Sequence, residues 1–363
     1  MICTAGWLIQ TKYQLNDTGE ILLSEWHYDE QGRLVSQQRH DRQDSTQYGY
    51  DIRSAETAIE NRHFSERLYY GENVPNGSSA CYNGNIAATT VQNGDSTMAT
   101  GYVYDAYNRL TESLYLHNSG TQSAEYREYD EMGNILRLQR YTPQGGLIDD
   151  LKYTYAGNQV VSIMDYAGAM DLYNRKEYQD LSQGDSIEQR YDANGNMTAD
   201  ADRGITHIAY NVLNLPDTVV FANGCRLIND YNAAGQKWQS MTITPIEARY
   251  TPIAVNGAIF DRSRVAVCMT EYIGNKEYRY MGNSMDSLQL RSLMVYNGEG
   301  YWAYDYGKKA ATQYYFHKDH LGNVCAVWDA TTDSVVQRTD YYASGLPKSQ
   351  STGQSIQNKK YVC

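Results

Sequence analysis

A seven-residue unit recurs along this chain, and it constrains the fold more strongly than any other feature of the sequence. Each copy begins with Tyr followed by Asp or Asn, reaches Gly or Asn at its fifth position, and usually ends on an apolar residue. Clear copies begin at Tyr28, Tyr104, Tyr129, Tyr191, Tyr210 and Tyr231. Because each copy is short and self-similar, the repeat predicts a serial array of one supersecondary unit.

The second and fifth positions of the unit carry the residues that a tight turn requires. An Asp or Asn side chain can accept a hydrogen bond from the backbone amide two residues on. Gly and Asn most easily adopt the positive φ that follows a type I turn in a hairpin with a three-residue loop. The predicted turn residues are Tyr28, Asp29 and Gly32; Tyr104, Asp105 and Asn108; Tyr129, Asp130 and Gly133; Tyr191, Asp192 and Gly195; Tyr210, Asn211 and Asn214; and Tyr231, Asn232 and Gly235.

The residues that flank each turn belong to two paired strands, so the repeat predicts an all-β fold of serial antiparallel β-hairpins. The spacing is 25 residues from Tyr104 to Tyr129 and 21 from Tyr210 to Tyr231, which leaves room for two strands of ordinary length. The chain holds 35 Tyr but 4 Phe and 5 Trp, a bias typical of thin, half-exposed sheets. We expect one long curling sheet or a partial hollow shell.

The repeat pattern divides the chain into three segments. Residues 1–241 form the predicted repeat strip. A loop-rich insertion interrupts the strip at about 71–100, and this insertion is predicted to contain one short strand at 86–91. Within the strip, the apolar residues of 54–70 have some helical spacing. One helical turn that precedes a strand is therefore kept as an alternative for this segment. Residues 242–300 form divergent hairpins, and residues 301–363 form a distinct final segment. Both ends of the chain are interpreted as cuts through a longer polypeptide.

Composition excludes several classes of protein. A net charge of −12 argues against a nucleic-acid binder, which would show a clustered basic surface. No apolar run is long enough for a membrane span, and the first residues lack the basic region of a signal peptide. The 6 Cys are far apart and form no C-x-x-C pair, so we expect structural or incidental thiols rather than a disulfide framework or a zinc site.

The final segment contains a more specific motif, the run Asp319, His320, Leu321, Gly322 and Asn323. The other residues of the same pattern are Tyr314, Tyr315, His317, Ala326, Val327, Asp329, Asp340, Tyr341, Tyr342 and Gly345. With these residues, 301–346 resembles the start of the Rhs (rearrangement hotspot) repeat-associated core, and the Tyr-Asp units resemble the YD repeats of the same family. The Tyr-rich and Asn-rich style is similar to that of large surface-associated Rhs proteins of Bacteroidetes.

The resemblance implies a β-sheet strip that spirals into a hollow shell, which in longer relatives encloses a C-terminal toxin as cargo. It also implies that the full-length protein is extracellular or displayed at the cell surface. Many relatives carry a self-cleaving aspartyl-protease motif later in the core, but this chain ends at Cys363 before such a stretch and contains no Asp-Pro pair. We therefore predict a non-enzymatic encapsulating scaffold with a truncated core, from which the toxin and self-cleavage segments are absent.

His317, Asp319 and His320 are the residues whose types would suit a metal ion. However, positions three apart on a strand face opposite sides of the sheet, and no third ligand follows at a recognised spacing. We interpret the motif as a structured turn in which Asp319 binds backbone amides, and Gly322 and Asn323 supply the turn geometry. The sequence predicts no catalytic, metal-binding or cofactor-binding residue, and no cofactor.

Two other functions stay open. Repeated tyrosines could stack on sugars, which makes an extracellular glycan-binding adhesin the alternative, although a tyrosine ladder between hairpins explains their fixed position better. An enzyme would instead need acids that converge around Asp319, Asp329 and Asp340. The carboxylate pairs that could serve hydrolysis are Asp149 and Asp150, Asp200 and Asp202, and Asp329 and Asp333. Abundant Asp is already explained by the hairpin turns.

Overall fold

The computed structural model describes residues 6–14, 19–117, 120–168, 177–178, 180, 188–246 and 265–348. The expectations for Cys3 and Cys363, and for the final segment after Lys348, lie outside these residues. The described residues form 26 β-strands, and regular helix among them is limited to one 3₁₀ turn at Met285–Ser287. No helix in the described part of the chain is long and apolar enough to cross a membrane.

The strands follow one another through the whole described chain. The first 13 are β1 (Gln10–Tyr13), β2 (Ile21–Tyr28), β3 (Leu34–Arg39), β4 (Asp44–Tyr50), β5 (Glu56–Asn61), β6 (Phe64–Tyr69), β7 (Ala88–Asn93), β8 (Ser96–Tyr104), β9 (Leu110–His117), β10 (Gly120–Tyr129), β11 (Ile135–Tyr141), β12 (Leu147–Ala156) and β13 (Gln159–Asp165). The others are β14 (Gln189–Tyr191), β15 (Met197–Asp200), β16 (Ile205–Tyr210), β17 (Pro216–Phe221), β18 (Arg226–Tyr231), β19 (Lys237–Pro245), β20 (Val265–Ile273), β21 (Lys276–Gly282), β22 (Gln289–Tyr296), β23 (Gly300–Asp305), β24 (Ala310–Lys318), β25 (Val324–Asp329) and β26 (Ser334–Arg338).

Every strand is bonded to its neighbours in chain order, in two sheets of 13 strands, and the pairs are antiparallel. The predicted fold class, all-β with serial antiparallel hairpins, is therefore confirmed, but the described strands form two sheets rather than the one long sheet expected. The register follows the repeat, since the first residue of a unit pairs with the seventh: Tyr28 lies opposite Leu34, and Tyr129 opposite Ile135. A register shift directly before each of these tyrosines marks a β-bulge, which increases the local twist.

Asp130 shows how the turn of each unit is held together. Its Oδ1 accepts hydrogen bonds from the amides of Met132 and Asn134, at 2.9 and 2.8 Å, and its Oδ2 accepts one from the Asn134 side chain at 2.8 Å. The fifth residue, Gly133, has φ of +89°. The equivalent φ is +81° at Gly32, +61° at Asn108, +85° at Gly195, +60° at Asn214 and +76° at Gly235. The carboxylate thus bonds the amide four residues on in addition to the predicted amide two residues on.

The repeated tyrosine joins the start of each turn unit to a preceding part of the chain, which in several units is the preceding hairpin. The Tyr129 hydroxyl donates to the carbonyl oxygen of Leu110 at 2.7 Å, and the Tyr210 hydroxyl donates to that of Met197 at 2.8 Å. Leu110 and Met197 each occupy the seventh position of the preceding unit. Equivalent bonds run from Tyr28 to Leu8, Tyr50 to Leu34, Tyr70 to Glu56, Tyr104 to Ile86, Tyr191 to Val160 and Tyr231 to Pro216. This hydroxyl bond explains why the position carries Tyr rather than Phe.

Two local expectations within the strip need correction. Residues 54–70 contain no helical turn but two strands, β5 and β6, joined at Arg62 and His63. The insertion at 71–100 contains two strands rather than one short one, because β7 extends to Asn93 and β8 starts at Ser96 after a two-residue turn. The helical spacing was misleading because strand pairing with the neighbouring hairpin overrides weak local propensity. The irregular loop is therefore limited to residues 70–87.

The chain forms two compact units. Unit 1 holds the described residues up to Asp150 and those from Tyr314 onward, with Ala167, Gly168 and Glu177. Unit 2 holds the described residues of Leu151–Tyr166 and Tyr178–Gln313. In unit 2 the buried apolar side chains include those of Val267 and Tyr301. The three-segment division drawn from the repeat pattern stays a prediction.

The core of unit 1 consists of three clusters that combine residues distant in sequence. Tyr115, Ala124 and Ile148 pack with Tyr342; Leu23 packs with Tyr315, Trp328 and Ala330; and Phe64 packs with Cys325 and Ala326. In every cluster, residues of the first repeats lie against residues that follow Tyr314. The final segment therefore completes the hydrophobic core of the first repeats.

We predict that Tyr129→Phe lowers the free energy of unfolding by about 1 kcal/mol, because the Leu110 carbonyl loses its hydroxyl donor while the packing of the ring is retained. Tyr107→Phe is the matched control, since the Tyr107 side chain lies at the tip of a turn and is 81% exposed. Urea unfolding followed by circular dichroism measures both variants. Equal stabilities for the two variants would contradict the structural role of the repeated hydroxyl.

Candidate functional site

The candidate site is the contact, within unit 1, between the first repeats and residues 314–348, here called the terminal segment. We call this contact the junction. It joins residues more than 200 positions apart: the Arg39 Nη1 donates to the Phe316 carbonyl at 2.7 Å, and the Tyr342 hydroxyl donates to the Tyr141 carbonyl at 2.9 Å. The terminal segment is held by side-chain hydrogen bonds of this kind as well as by the three apolar clusters.

The run from Asp319 to Asn323 forms the turn between β24 and β25. Asp319 Oδ1 accepts from the amides of Leu321 and Asn323, at 3.0 and 2.8 Å, and Gly322 has φ of +83°. The Asn323 side chain donates to Asp319 Oδ2 at 2.9 Å. This is the same arrangement that holds the Tyr-Asp turns, so the terminal segment continues the repeat chemistry.

His320 anchors this turn to the first repeats through Glu66, whose side chain is buried in β6. Glu66 accepts from the His320 amide at 2.9 Å and lies 2.9 Å from the His320 Nδ1. Burial alone would lower the pKa of His320, but the hydrogen bond and charge of Glu66 outweigh it and raise that pKa. Burial also raises the pKa of Asp319. The Glu66–His320 pair therefore places a buried carboxylate against an imidazole that binds a proton more strongly than an ordinary histidine does.

Arg39 is the centre of the second contact, and it is 2% exposed. Its guanidinium donates to Asp44 Oδ2 from Nε at 3.0 Å and from Nη2 at 2.6 Å, and the same Nη2 lies 2.9 Å from His317 Nδ1. Asp44 Oδ1 in turn accepts from the Asn61 side chain at 2.9 Å. Because buried charges need partners, Arg39 both neutralises Asp44 and binds the terminal segment.

Two histidines contact the buried Trp328 at this contact, and a third contacts one of these two. His40 lies edge-on to Trp328, His63 stacks on it with ring centroids 5.7 Å apart, and His317 lies edge-on to His63. Burial lowers the pKa of His40 and of His63. The pKa of His317 lies well below its usual value because of burial and then because of the charge of Arg39. All three imidazoles are therefore neutral near pH 7.

Asn93, at the end of β7, lies at the centre of a third contact. Its side chain donates to the Cys325 carbonyl at 3.1 Å and to Asp340 Oδ1 at 2.9 Å, while its Oδ1 accepts from Arg338 at 2.9 Å. Arg338 also donates to the His63 carbonyl at 2.7 Å. Further along, the fully buried Glu125 accepts from the amide and the hydroxyl of Ser344. The strip of first repeats thus binds the terminal segment along its length.

The structure separates the two histidines of the motif, since His317 contacts Arg39 and His320 contacts Glu66. It brings His317 instead into a group with Asp44 and His63, whose potential ligand atoms lie within 4.8 Å of one another. Sequence spacing gave no sign of this group. Both Asp44 oxygens already accept N–H donors and Arg39 lies between Asp44 and His317, so the geometry fits an ion-pair network better than a metal site.

The carboxylates considered for hydrolysis have separate structural partners. Asp149 binds Arg140 and Asp150 binds Arg137. Asp200 lies 3.6 Å from Arg203, and Asp202 accepts from Tyr178. Asp329 accepts from the amides of Thr331 and Thr332, whereas Asp333 accepts from Arg62 and Trp328. Asp180, Glu188 and Asp202 form a second group of carboxylates within 4.8 Å of one another, in unit 2.

A cavity of about 280 Å³ lies within unit 1 beside the junction. Asp319 and Asp340 both line it, but Asp329 does not. Cys325 also lines it, and burial raises the pKa of this thiol, so Cys325 stays protonated. Of the described cysteines, Cys81, Cys225, Cys268 and Cys325 are free thiols.

We predict that Arg39→Met lowers the free energy of unfolding by about 3–5 kcal/mol, because the buried Asp44 carboxylate loses its hydrogen-bonded guanidinium and keeps only Arg62, 3.9 Å away, as a nearby cation. Arg42→Met is the matched control: the Arg42 side chain is 60% exposed and pairs with Glu25, so its loss costs less than about 1 kcal/mol. Urea unfolding compares the two. A loss for Arg39→Met as small as that of Arg42→Met would show that the Arg39 network contributes little.

We predict that acid weakens the junction. A histidine whose pKa is lower in the folded than in the unfolded chain gives stability that is complete above about pH 6.5 and is lost as the pH falls below it. The buried His317, whose pKa lies well below its usual value because of burial and the charge of Arg39, contributes to this loss as the pH falls towards 5. His320, with a raised pKa, acts in the opposite direction but is outnumbered by His40, His63 and His317.

Thermal unfolding between pH 7.5 and 5 measures this effect. We expect His317→Gln to reduce the pH dependence, because Gln keeps an acceptor for Arg39 without binding a proton. His27→Gln, at an exposed position, is the control. A pH dependence that is the same in both variants would exclude His317 as its source.

Comparison with known proteins gives a structural match without a sequence match. No protein-family model matches the chain, and no curated protein matches its sequence. The fold is similar to a crystal structure of TcdB2-TccC3-Cdc42, with a TM-score of 0.70 and 14% identity over 94% of this chain. This chain spans 17% of that one. A Photorhabdus luminescens Tc holotoxin pore structure with the TccC3-D651A mutation aligns at a TM-score of 0.31 and 12% identity. The first likeness shows that this chain shares the fold of that part of the similar structure and supports an Rhs-like fold.

Proposed function

We propose that this chain forms part of the wall of an Rhs-type encapsulating scaffold and that it is non-enzymatic. The similar crystal structure is that of TcdB2-TccC3 together with Cdc42. By analogy, the complete protein to which this wall belongs holds a C-terminal toxin as cargo, is secreted or displayed at the cell surface, and belongs to the YD-repeat proteins of Bacteroidetes.

The observation that carries this proposal is the junction. The terminal segment supplies buried residues to all three apolar clusters of unit 1, together with the ion pairs of Arg39 and Glu66. Among the described carboxylates, Asp130 and Asp319 hold turns and Asp44 neutralises a buried arginine. This use of charge supports a continuous wall rather than a reactive pocket.

A wall made of hairpins leaves strand edges that need a neighbour. β1 is the first strand of its sheet and β26 is the last strand of the other. Unpaired edges are templates for pairing with another chain. Since this chain spans 17% of the similar chain, we expect the isolated 363-residue chain to self-associate through such edges.

Size-exclusion chromatography with light scattering tests this expectation. For this test, a disordered reporter peptide with a site for a specific protease is attached after Cys363 in one version of the chain. In the control version the same peptide is attached before Met1. We expect association that increases with protein concentration, and slower cleavage of the reporter after Cys363 than of the control. A monodisperse monomer in which both reporters are cleaved equally fast would contradict the proposal.

The glycan-binding adhesin remains the alternative, with less support. The repeated hydroxyls donate to backbone carbonyls, which leaves them unable to donate to a sugar at the same time. A glycan array with Ala variants at Tyr104, Tyr129 and Tyr191 distinguishes the two functions. Glycan-specific loss of binding in variants of unchanged stability would favour the adhesin.

A further inference from the structure

Lys348 is an unusual lysine, because its amine is buried against apolar groups. The residue is 6% exposed, and its Nζ donates to the sulfur of Met98 at 2.7 Å. The same nitrogen lies 5.1 Å from the ring centroid of Tyr115 and 5.5 Å from that of Tyr342. Thioether sulfur is a weak acceptor. Among the described residues, no ion pair joins this amine to a carboxylate.

Such surroundings favour the neutral amine over the ammonium ion. Aromatic faces attract a cation, but two rings and a sulfur replace little of the hydration that burial removes. Burial lowers the pKa of Lys348 to about 8, against the opposing charges of Asp340 and Glu125, which favour the protonated form. At pH 7 about a tenth of the amine is then unprotonated, compared with roughly one part in 3,000 for an ordinary lysine.

Lys348 lines the cavity beside the junction, so a small reactant has space next to this residue. The cavity of about 280 Å³ is lined by Lys348, Met98 and Tyr342, and also by polar residues that include Tyr102, His320 and Asp340. Acidic and imidazole groups near an amine can exchange protons with a reacting oxygen. The volume accommodates a small polar molecule but not a folded domain.

We propose that Lys348 is a site of reversible covalent modification by small hydroxyaldehydes that enter this cavity. The Nζ lone pair forms a C–N bond to the carbonyl carbon. The carbonyl oxygen then leaves as water with both amine protons, which gives an imine without any change of oxidation state. Desolvated lysines in apolar pockets are activated as nucleophiles in this manner. The proposal is independent of the encapsulating function.

Reductive trapping with glycolaldehyde and cyanoborohydride on the folded full-length chain tests this proposal. The reagent transfers a hydride to the imine carbon, and peptide mass spectrometry reports the labelling rate at each lysine. The matched control within the same molecule is Lys318, an exposed lysine whose Nζ lies 5.9 Å from the Phe316 ring centroid. At pH 7 we expect Lys348 to be labelled about tenfold faster than Lys318, because the unprotonated tenth of the Lys348 amine outweighs its restricted access.

The pH profile gives the second readout. The rate at Lys348 is expected to level off above about pH 8. Lys348→Arg should lose the fast label and leave the label at Lys318 unchanged. Labelling of Lys348 that is no faster than that of Lys318, or that appears only after unfolding in urea, would overturn the proposal. Both contradicting results, slow labelling of Lys348 and labelling only after unfolding, are measured on the unmutated chain. They therefore do not depend on whether the Lys348→Arg variant folds.

Discussion

The hydrogen bond from a repeated tyrosine hydroxyl to a backbone carbonyl is the interaction on which the rest of this structure depends. It recurs from Tyr28 to Tyr231, and each time it ties the start of one turn unit to a residue 13 to 31 positions earlier in the chain. An isolated two-stranded hairpin is only marginally stable in water. The turn carboxylate closes each hairpin locally, and the hydroxyl joins the closed hairpins, so order passes along the strip from one neighbour to the next.

The parts of the fold that sequence reasoning could predict are those that a local pattern encodes. The hairpin at Asp130 and Gly133 needs nothing beyond five consecutive residues, so its chemistry is visible in the sequence. The two strands β7 and β8 were less accessible, because Gly and Asn in residues 71–100 look like a loop unless pairing with β6 is considered. The backbone carbonyls that accept from the tyrosine hydroxyls could not be predicted either. Every residue has a backbone carbonyl, so the sequence does not show which one accepts the hydrogen bond.

The junction could not be predicted for a different physical reason. Arg39 and His317 are separated by 278 positions, and Glu66 and His320 by 254. Each of these residues lies in an ordinary strand or turn, and its residue type does not recur at the repeat spacing. In the sequence, none of them differs from a solvated polar residue until its partner is known. Buried charges are costly unless they are paired. Arg39 and Glu66 therefore fit their positions only because the terminal segment and the Asp44 carboxylate are there.

The discontinuity of unit 1 has a consequence for how the protein is made. A ribosome that adds roughly 5–20 amino acids per second needs about 15–55 s to synthesise the 278 positions between Arg39 and His317. During that interval Leu23 and Phe64 have emerged while Trp328 and Ala326, which cover them, do not yet exist. Nascent chains in this state present apolar strands to the cytosol, so holding chaperones have their main opportunity to act before the last residues are translated.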